Sequence, residues 1–151
     1  MSRLLGIDLG DRRIGLAVAA TDGGAARGLT TMTRGTPDDD ATALAHVVAE
    51  QRIDELVVGL PLLPSGDEGE QAAAARAWAD AIARRLSRPV SMQDERFTSR
   101  AAEATVGPAR RRHDGGPPSR AARSAQRALV DREAARRILQ AALDARAEVG
   151  R

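Results

Sequence analysis

The chain has 151 residues and a formal charge of +2, with 42% apolar residues, enough for one domain and not two. It has no Cys and only His46 and His113, which excludes disulfide scaffolds, thiolate zinc sites, thiol nucleophiles and a histidine-built metal centre. Trp78 and Phe97 are the only aromatic residues, too few for a surface that stacks successive bases. Leu4 to Leu9 and Ile14 to Ala20 are apolar runs around Gly10-Asp11-Arg12-Arg13, which predicts a hairpin. Gly28 to Thr33, rich in Thr, suits a third strand after the Thr21-Asp22-Gly23-Gly24 turn. Thr36-Pro37-Asp38 is a helix start, and Ala43, Leu44, Val47 and Val48 continue it at helical spacing to Gln51. Asp54 to Gly59 reads as a buried strand. An Ala-rich helix follows over about 70–86, with Trp78, Ile82 and Leu86 four apart on its buried stripe.

Pro89 to Gln93 is a last short strand, and Thr98 to Val106 a short helix. Residues 107–120 hold three Gly, three Pro and four Arg with almost nothing to bury, so a flexible loop is expected there. A final helix is predicted from about Ser124 to Arg146, with Leu129, Ala135, Ile138, Ala142 and Leu143 on one side. Three strands, then helix, strand, helix, strand and helices, imply an α/β domain with a mixed sheet covered by helices. No run of about 20 apolar residues and no signal-peptide pattern is seen, so a soluble, cytoplasmic protein is expected.

All 23 basic residues are Arg, so almost nothing titrates between His and Arg, and the pI of about 10.7 overstates a small charge. The distribution says more. Residues 1–95 carry 10 Arg against 15 acids, whereas residues 96–127 carry 8 Arg against Glu103 and Asp114. A positive field gathered in one segment suits an anionic partner.

Three acids stand out. Asp8 lies inside an apolar strand, where an unpaired carboxylate is costly, so it is either bonded to backbone at a turn or kept for chemistry. Glu95, with Asp94, follows the last strand, at the edge where open α/β sheets place ligands; a solvated turn is the plainer reading. Asp131 stands on the long helix beside Val130, Ala134, Ala135 and Ile138, and a solvated acid paired with Arg127 or Arg136 would serve there too. Should they converge, three carboxylates without His or Cys suit Mg²⁺ or Mn²⁺, and paired ions of that kind drive in-line displacement at phosphodiesters.

The blocks Gly6-Ile7-Asp8-Leu9-Gly10, Arg12-Arg13-Ile14-Gly15-Leu16-Ala17, Val57-Val58-Gly59-Leu60-Pro61 and Asp94-Glu95-Arg96-Phe97-Thr98-Ser99 resemble the YqgF/RuvX family. So does the close, Val130-Asp131 through Ala134-Ala135 to Ile138-Leu139-Gln140. The likeness runs from about residue 3 to 146. It implies a ribonuclease H-like fold, with a five-stranded mixed sheet of three antiparallel strands followed by two parallel ones. It also implies a nuclease that processes the 5′ end of pre-16S rRNA in ribosome biogenesis. Asp8, Glu95 and Asp131 would then be the catalytic and metal-binding acids, with Mg²⁺ or Mn²⁺ as cofactor.

Substrate phosphates would meet Arg12 and Arg13 at the hairpin turn, and Arg96, Thr98 and Ser99 after Glu95. Arg110, Arg111 and Arg112 would act as a positive arm. RNA is the expected partner, with pre-ribosomal particles behind it and no membrane, for a monomer or a homodimer. The competing readings are a Holliday junction resolvase, which needs two active sites and hence a dimer, and a non-catalytic nucleic-acid-binding module. An ATP-using enzyme of the actin and sugar-kinase fold also opens with a Gly-x-Asp-x-Gly hairpin, but needs far more chain. The sequence departs from the family at Leu62-Leu63-Pro64-Ser65-Gly66, which lacks an Asn common there, and at Arg136-Arg137, where apolar residues are usual.

Overall fold

A computed structural model describes residues 1–96 and 98–150; Phe97 of the quoted motif and Arg151 lie outside the described residues. The chain opens with β1 (Arg3–Leu9), β2 (Arg13–Ala20) and β3 (Arg27–Thr33), an antiparallel meander. Helix α1 (Pro37–Gln51), strand β4 (Glu55–Leu60), helix α2 (Glu70–Leu86) and strand β5 (Val90–Asp94) follow. Helices α3 (Thr98–Val106) and α4 (Arg120–Val149) complete the chain. The sheet runs β3-β2-β1-β4-β5, with β4 parallel to β1 and β5 parallel to β4. Each parallel link crosses over through one helix, the arrangement that alternating strand and helix patterns require.

Side chains alternate across the strands, so each face has its own character. One face carries Leu5, Ile7, Ile14, Leu16, Val18, Leu56 and Val58, which pack on Leu44 and Val48 of α1 and on Trp78 and Ile82 of α2. The other carries small residues. Ala17, Ala19, Leu4 and Val57 meet Ala135, Ile138, Leu139 and Ala142 of α4. Gly6 and Gly15 lie on the same side: a Cβ on Gly6 would sit 2.7 Å from Leu139 Cβ, and one on Gly15 only 2.0 Å from the Asp131 carbonyl oxygen. The α4 backbone therefore rests almost directly on β2.

Local chemistry sets the ends of the helices. Thr36 and Asp39 form a reciprocal capping box at α1. Beside it Asp40 is buried, accepting from the Gly35 N–H at 2.8 Å and from Trp78 Nε1 at 3.1 Å, which ties α1 to α2. Helix α4 begins at Arg120, a turn before the predicted start, because the Ser119 hydroxyl caps it by accepting from the Ala122 N–H. Leu129, predicted on the inner side of that helix, is exposed. The buried stripe instead runs through Val130, Ala134, Ala135, Ile138, Leu139 and Ala142. Arg136 and Arg137 both pair with the half-buried Glu133 beside the stripe, and Arg137 also donates to the Thr105 hydroxyl of α3 at 2.6 Å, so their charge is met at its flank. No helix among the described residues is long and apolar enough to cross a membrane.

The near contact at Gly15 makes a sharp expectation. A methyl group there must push the α4 backbone off the sheet, so Gly15→Ala should destabilise the fold by about 3 kcal/mol in urea unfolding. Gly24→Ala, where the nearest atom is at an ordinary 3.5 Å, should change stability by less than about 0.5 kcal/mol. Equal effects at the two positions would mean that α4 does not lie so close.

Candidate active site

The free end of β1 carries Asp8, on the same face as Gly6 and paired in register with Gly15 of β2. On the other side, the parallel register Ile7↔Val58 makes Gly59 of β4 the next neighbour. Asp8 thus stands between two glycines, and both gaps are filled from above. Over Gly15 passes the α4 backbone at Asp131. Over Gly59 folds the Glu95 carboxylate, whose Oε2 would lie 2.8 Å from a Cβ at that position. The Glu95 N–H donates to the Leu60 carbonyl at 3.1 Å, extending the β4–β5 ladder and fixing where its side chain departs.

Asp8 is 8% exposed, and the half-buried Glu95 carboxylate stands beside it, folded over Gly59. Charging both of two neighbouring carboxylates is costly in a place with little water. Burial pushes Glu95 up to about 9, and the Asp8 charge adds to it. Burial also raises Asp8, to about 6, against the lowering effect of the neighbouring Glu95 carboxyl. Both carboxyls are thus biased toward keeping a proton in the folded protein, Glu95 more than Asp8. Asp131 is raised by burial too, with Arg127 and Arg13 pulling the other way.

Asp8, Glu95 and Asp131 line one hollow of about 380 Å³ with Arg34, Arg96, Ser99 and Arg127. A second hollow of about 240 Å³ continues past Asp131 to Asp11, Arg12, Arg13 and Arg127. The three predicted acids are brought together in one hollow. Among the described residues no group of three His, Cys, Asp or Glu side chains is disposed to hold one ion. What exists is a two-carboxylate seat with a third acid in the same hollow. That donor set suits Mg²⁺, which keeps several waters and takes one or two carboxylates together with substrate phosphate oxygens.

Similarity to known proteins identifies the family and the fold. The sequence profile of the RuvX family, described as Holliday junction resolvase, matches residues 2–145. A protein of Chloroflexus aggregans named "Putative pre-16S rRNA nuclease" is 41% identical over 143 residues, covering 95% of this chain and 94% of that one. A protein of the same name from Anaeromyxobacter sp. is 44% identical over 145 residues, covering 96% and 98%. The chain belongs to the RuvX family. Among solved structures, RuvC of Thermus thermophilus superposes with a TM-score of 0.54 at 18% identity, covering 97% of this chain and 96% of RuvC. That likeness concerns the fold, which is ribonuclease H-like.

The other expected contacts divide. Arg96 and Ser99 line the acidic hollow, and Arg12 and Arg13 the second one. Arg96 is braced by Asp94 through both its backbone and its guanidinium, which makes Asp94 a support rather than a member of the acid set. Thr98 begins α3 and lines neither hollow. Arg110, Arg111 and Arg112 also line neither; their loop closes on itself through the Gly115 N–H to Arg112 carbonyl bond. Sequence reasoning passed over Asp11, Arg34 and Gln71 as members of the wall and treated Arg127 only as an ion-pair partner. Arg34 is far from the hairpin in sequence and reaches it by donating to the Gly10 carbonyl at 2.8 Å. Only the β2–β3 pairing reveals that contact.

The pH dependence of this pair has a measurable sign. Carboxylates raised in the folded state stabilise fully below their ordinary range near 4, and lose that contribution as pH climbs through about 6 and about 9. In EDTA the stability should fall from pH 5 to pH 9. Asp8→Asn, which removes one of the competing charges, should raise stability at pH 8 by about 1–2 kcal/mol, roughly 4 °C in Tm. A variant that melts with its parent at every pH would show that the two carboxyls do not compete.

Proposed function

We propose that this protein is a metal-dependent nuclease that hydrolyses phosphodiester bonds in the 5′ region of the precursor of 16S rRNA. The carrying observation is that Asp8, Glu95 and Asp131, far apart in the chain, line one arginine-edged hollow, with Glu95 folded over Gly59 beside the buried Asp8. A fold gains nothing in stability from two competing acids raised by burial, so the Asp8–Glu95 pair is better understood as a seat for a cation that replaces their protons. The names of the relatives in Chloroflexus aggregans and Anaeromyxobacter support RNA as the substrate.

Asp8 and Glu95 would hold Mg²⁺ or Mn²⁺, with Asp131 as the third acid of the set. When bound, such an ion neutralises charge at the scissile phosphate and makes water easier to deprotonate. The residues of the chain do the rest. Arg12, Arg13, Arg96 and Arg127 draw the phosphate to the hollow and compensate its charge, and Ser99 can donate to a phosphate oxygen. Asp131, half-buried and attended by Arg13 and Arg127, accepts the proton of the attacking water. The water oxygen bonds to phosphorus as the bond to the leaving oxygen breaks. The Arg110–Arg112 loop adds long-range attraction that salt screens.

A second reading has its own support, since the family profile is described as Holliday junction resolvase and RuvC shares the fold. The deciding experiment incubates pure protein with end-labelled precursor rRNA and with a four-way DNA junction, with Mg²⁺, with Mn²⁺ and in EDTA. Cation-dependent cleavage of the RNA is expected, reduced about 100-fold or more by Asp8→Asn and by Glu95→Gln. Paired cuts in the junction with the RNA left intact would transfer the protein to the resolvase class. Undiminished cleavage by the Asp8→Asn variant would remove the proposed centre altogether.

A further inference from the structure

Beside the second hollow lies a groove of about 440 Å³, lined by Arg13, Arg120, Arg123, Ser124, Gln126 and Arg127. Arg13 and Arg127 belong to both, and Asp131 links the second hollow to the acidic one, so the three form one track. Four guanidinium groups from two elements face this groove, and among the described residues no carboxylate lines it. Arg13 donates to the Ser124 hydroxyl at 3.0 Å, which holds β2 and α4 together at its floor. Among the described residues Arg120 and Arg123 form no ion pair, Arg13 and Arg127 act on Asp131 only at a distance, and the one ion pair of Arg127 is with Glu103 at 3.4 Å on the exposed surface. An exposed pair of that kind is weak and easily exchanged for another anion.

Folding does not account for this cluster. Arg120 and Arg123 stand in the first turns of α4, where the helix dipole is positive and acidic residues would stabilise. The α4 first turn has none, whereas α1 carries Asp38, Asp39 and Asp40 in that position. Like charges gathered at an unfavourable helix end are a stability cost, and an anionic chain laid across them removes it.

We propose that this groove carries the sugar-phosphate backbone of a single nucleic-acid strand on one side of the bond to be cut. Arg120 and Arg123 then hold the phosphates beyond the one at Asp8 and Glu95. The inference rests on the nuclease reading and adds a direction to it, because the strand must leave the acidic hollow past Arg13 and along the head of α4. Recognition is through phosphates: Trp78 is buried, and among the described residues no aromatic ring lines the groove to stack a base.

The test measures binding of a labelled 12-nucleotide RNA of mixed sequence by fluorescence anisotropy, in EDTA and across 50–300 mM salt, so no cleavage is needed. The Arg120→Ser/Arg123→Ser double variant should bind about 10-fold more weakly. Its dependence of log Kd on log salt should be shallower by about 1.4, which is two lost phosphate contacts on a single strand. The exposed pair Arg27→Ser/Arg84→Ser removes the same charge elsewhere and should weaken binding less than twofold. Single-stranded DNA of the same sequence should behave like the RNA within about threefold. Thermal melting of the double variant should match or exceed that of the parent, which separates lost contact from lost fold. In a cleavage assay the double variant should show a raised KM with kcat preserved. The proposal is overturned if both double variants lose affinity equally, if duplex binds better than single strand, or if Arg110→Ser/Arg111→Ser/Arg112→Ser abolishes binding while the groove variant retains it. Absence of RNA cleavage would count against the nuclease reading alone and leave this binding result intact.

Discussion

The close approach of α4 to the sheet is the constraint from which the site follows. Gly6, Gly15, Ala17 and Ala19 form a face with almost no side-chain height, and the helix settles onto it nearly backbone to backbone. Residues 131, 135, 138 and 142 then share one stripe at spacings of four, three and four. The stripe that buries Ala135, Ile138 and Ala142 brings Asp131 to the level of Asp8. A bulkier β2 would lift the helix and carry the third acid away from the other two. Packing and chemistry are set by the same small residues.

Electrostatics at the site are arranged in two zones. Inside, burial biases Asp8 and Glu95 toward keeping a proton, so the floor of the hollow is under-charged for its composition. Outside, arginines from the hairpin turn, from the segment after β5 and from α4 surround it. Such a centre accepts a cation by giving up a proton, and its rim accepts the polyanion that the cation serves. The same division explains why a chain with a net charge of only +2 can still present a strongly positive approach.

Much of this was readable in the chain. The hairpin at Gly10–Arg13, the helix start at Thr36, the Ala-rich helix over 70–86 and the short helix after Glu95 all follow from turn chemistry and periodicity, and each is present. Strand ends moved by a residue, since Leu60 and Asp94 pair with each other within the ladder. The start of α4 was missed because the Arg-rich, Pro-flanked stretch hides the Ser119 cap. Leu129 was misplaced because apolar character alone does not say which way a long helix is turned. That is decided by what it packs on, and here Val130 and Ala134 meet Ala102 of α3. The three acids were identifiable as odd residues in their segments, but the folding of Glu95 over Gly59, beside Asp8, was not. It depends on the empty place at Gly59, a tertiary fact that no local pattern carries.

The bond between Trp78 and Asp40 has a practical consequence. The indole is sealed between α1 and α2, on the face of the sheet opposite α4 and its arginine groove, with its N–H held by a buried carboxylate. Its emission is therefore a built-in gauge of whether the α1–α2 layer is intact. Quenching or a red shift on adding a polyanion would betray loosening of that layer, since the indole itself has no access to the bound strand.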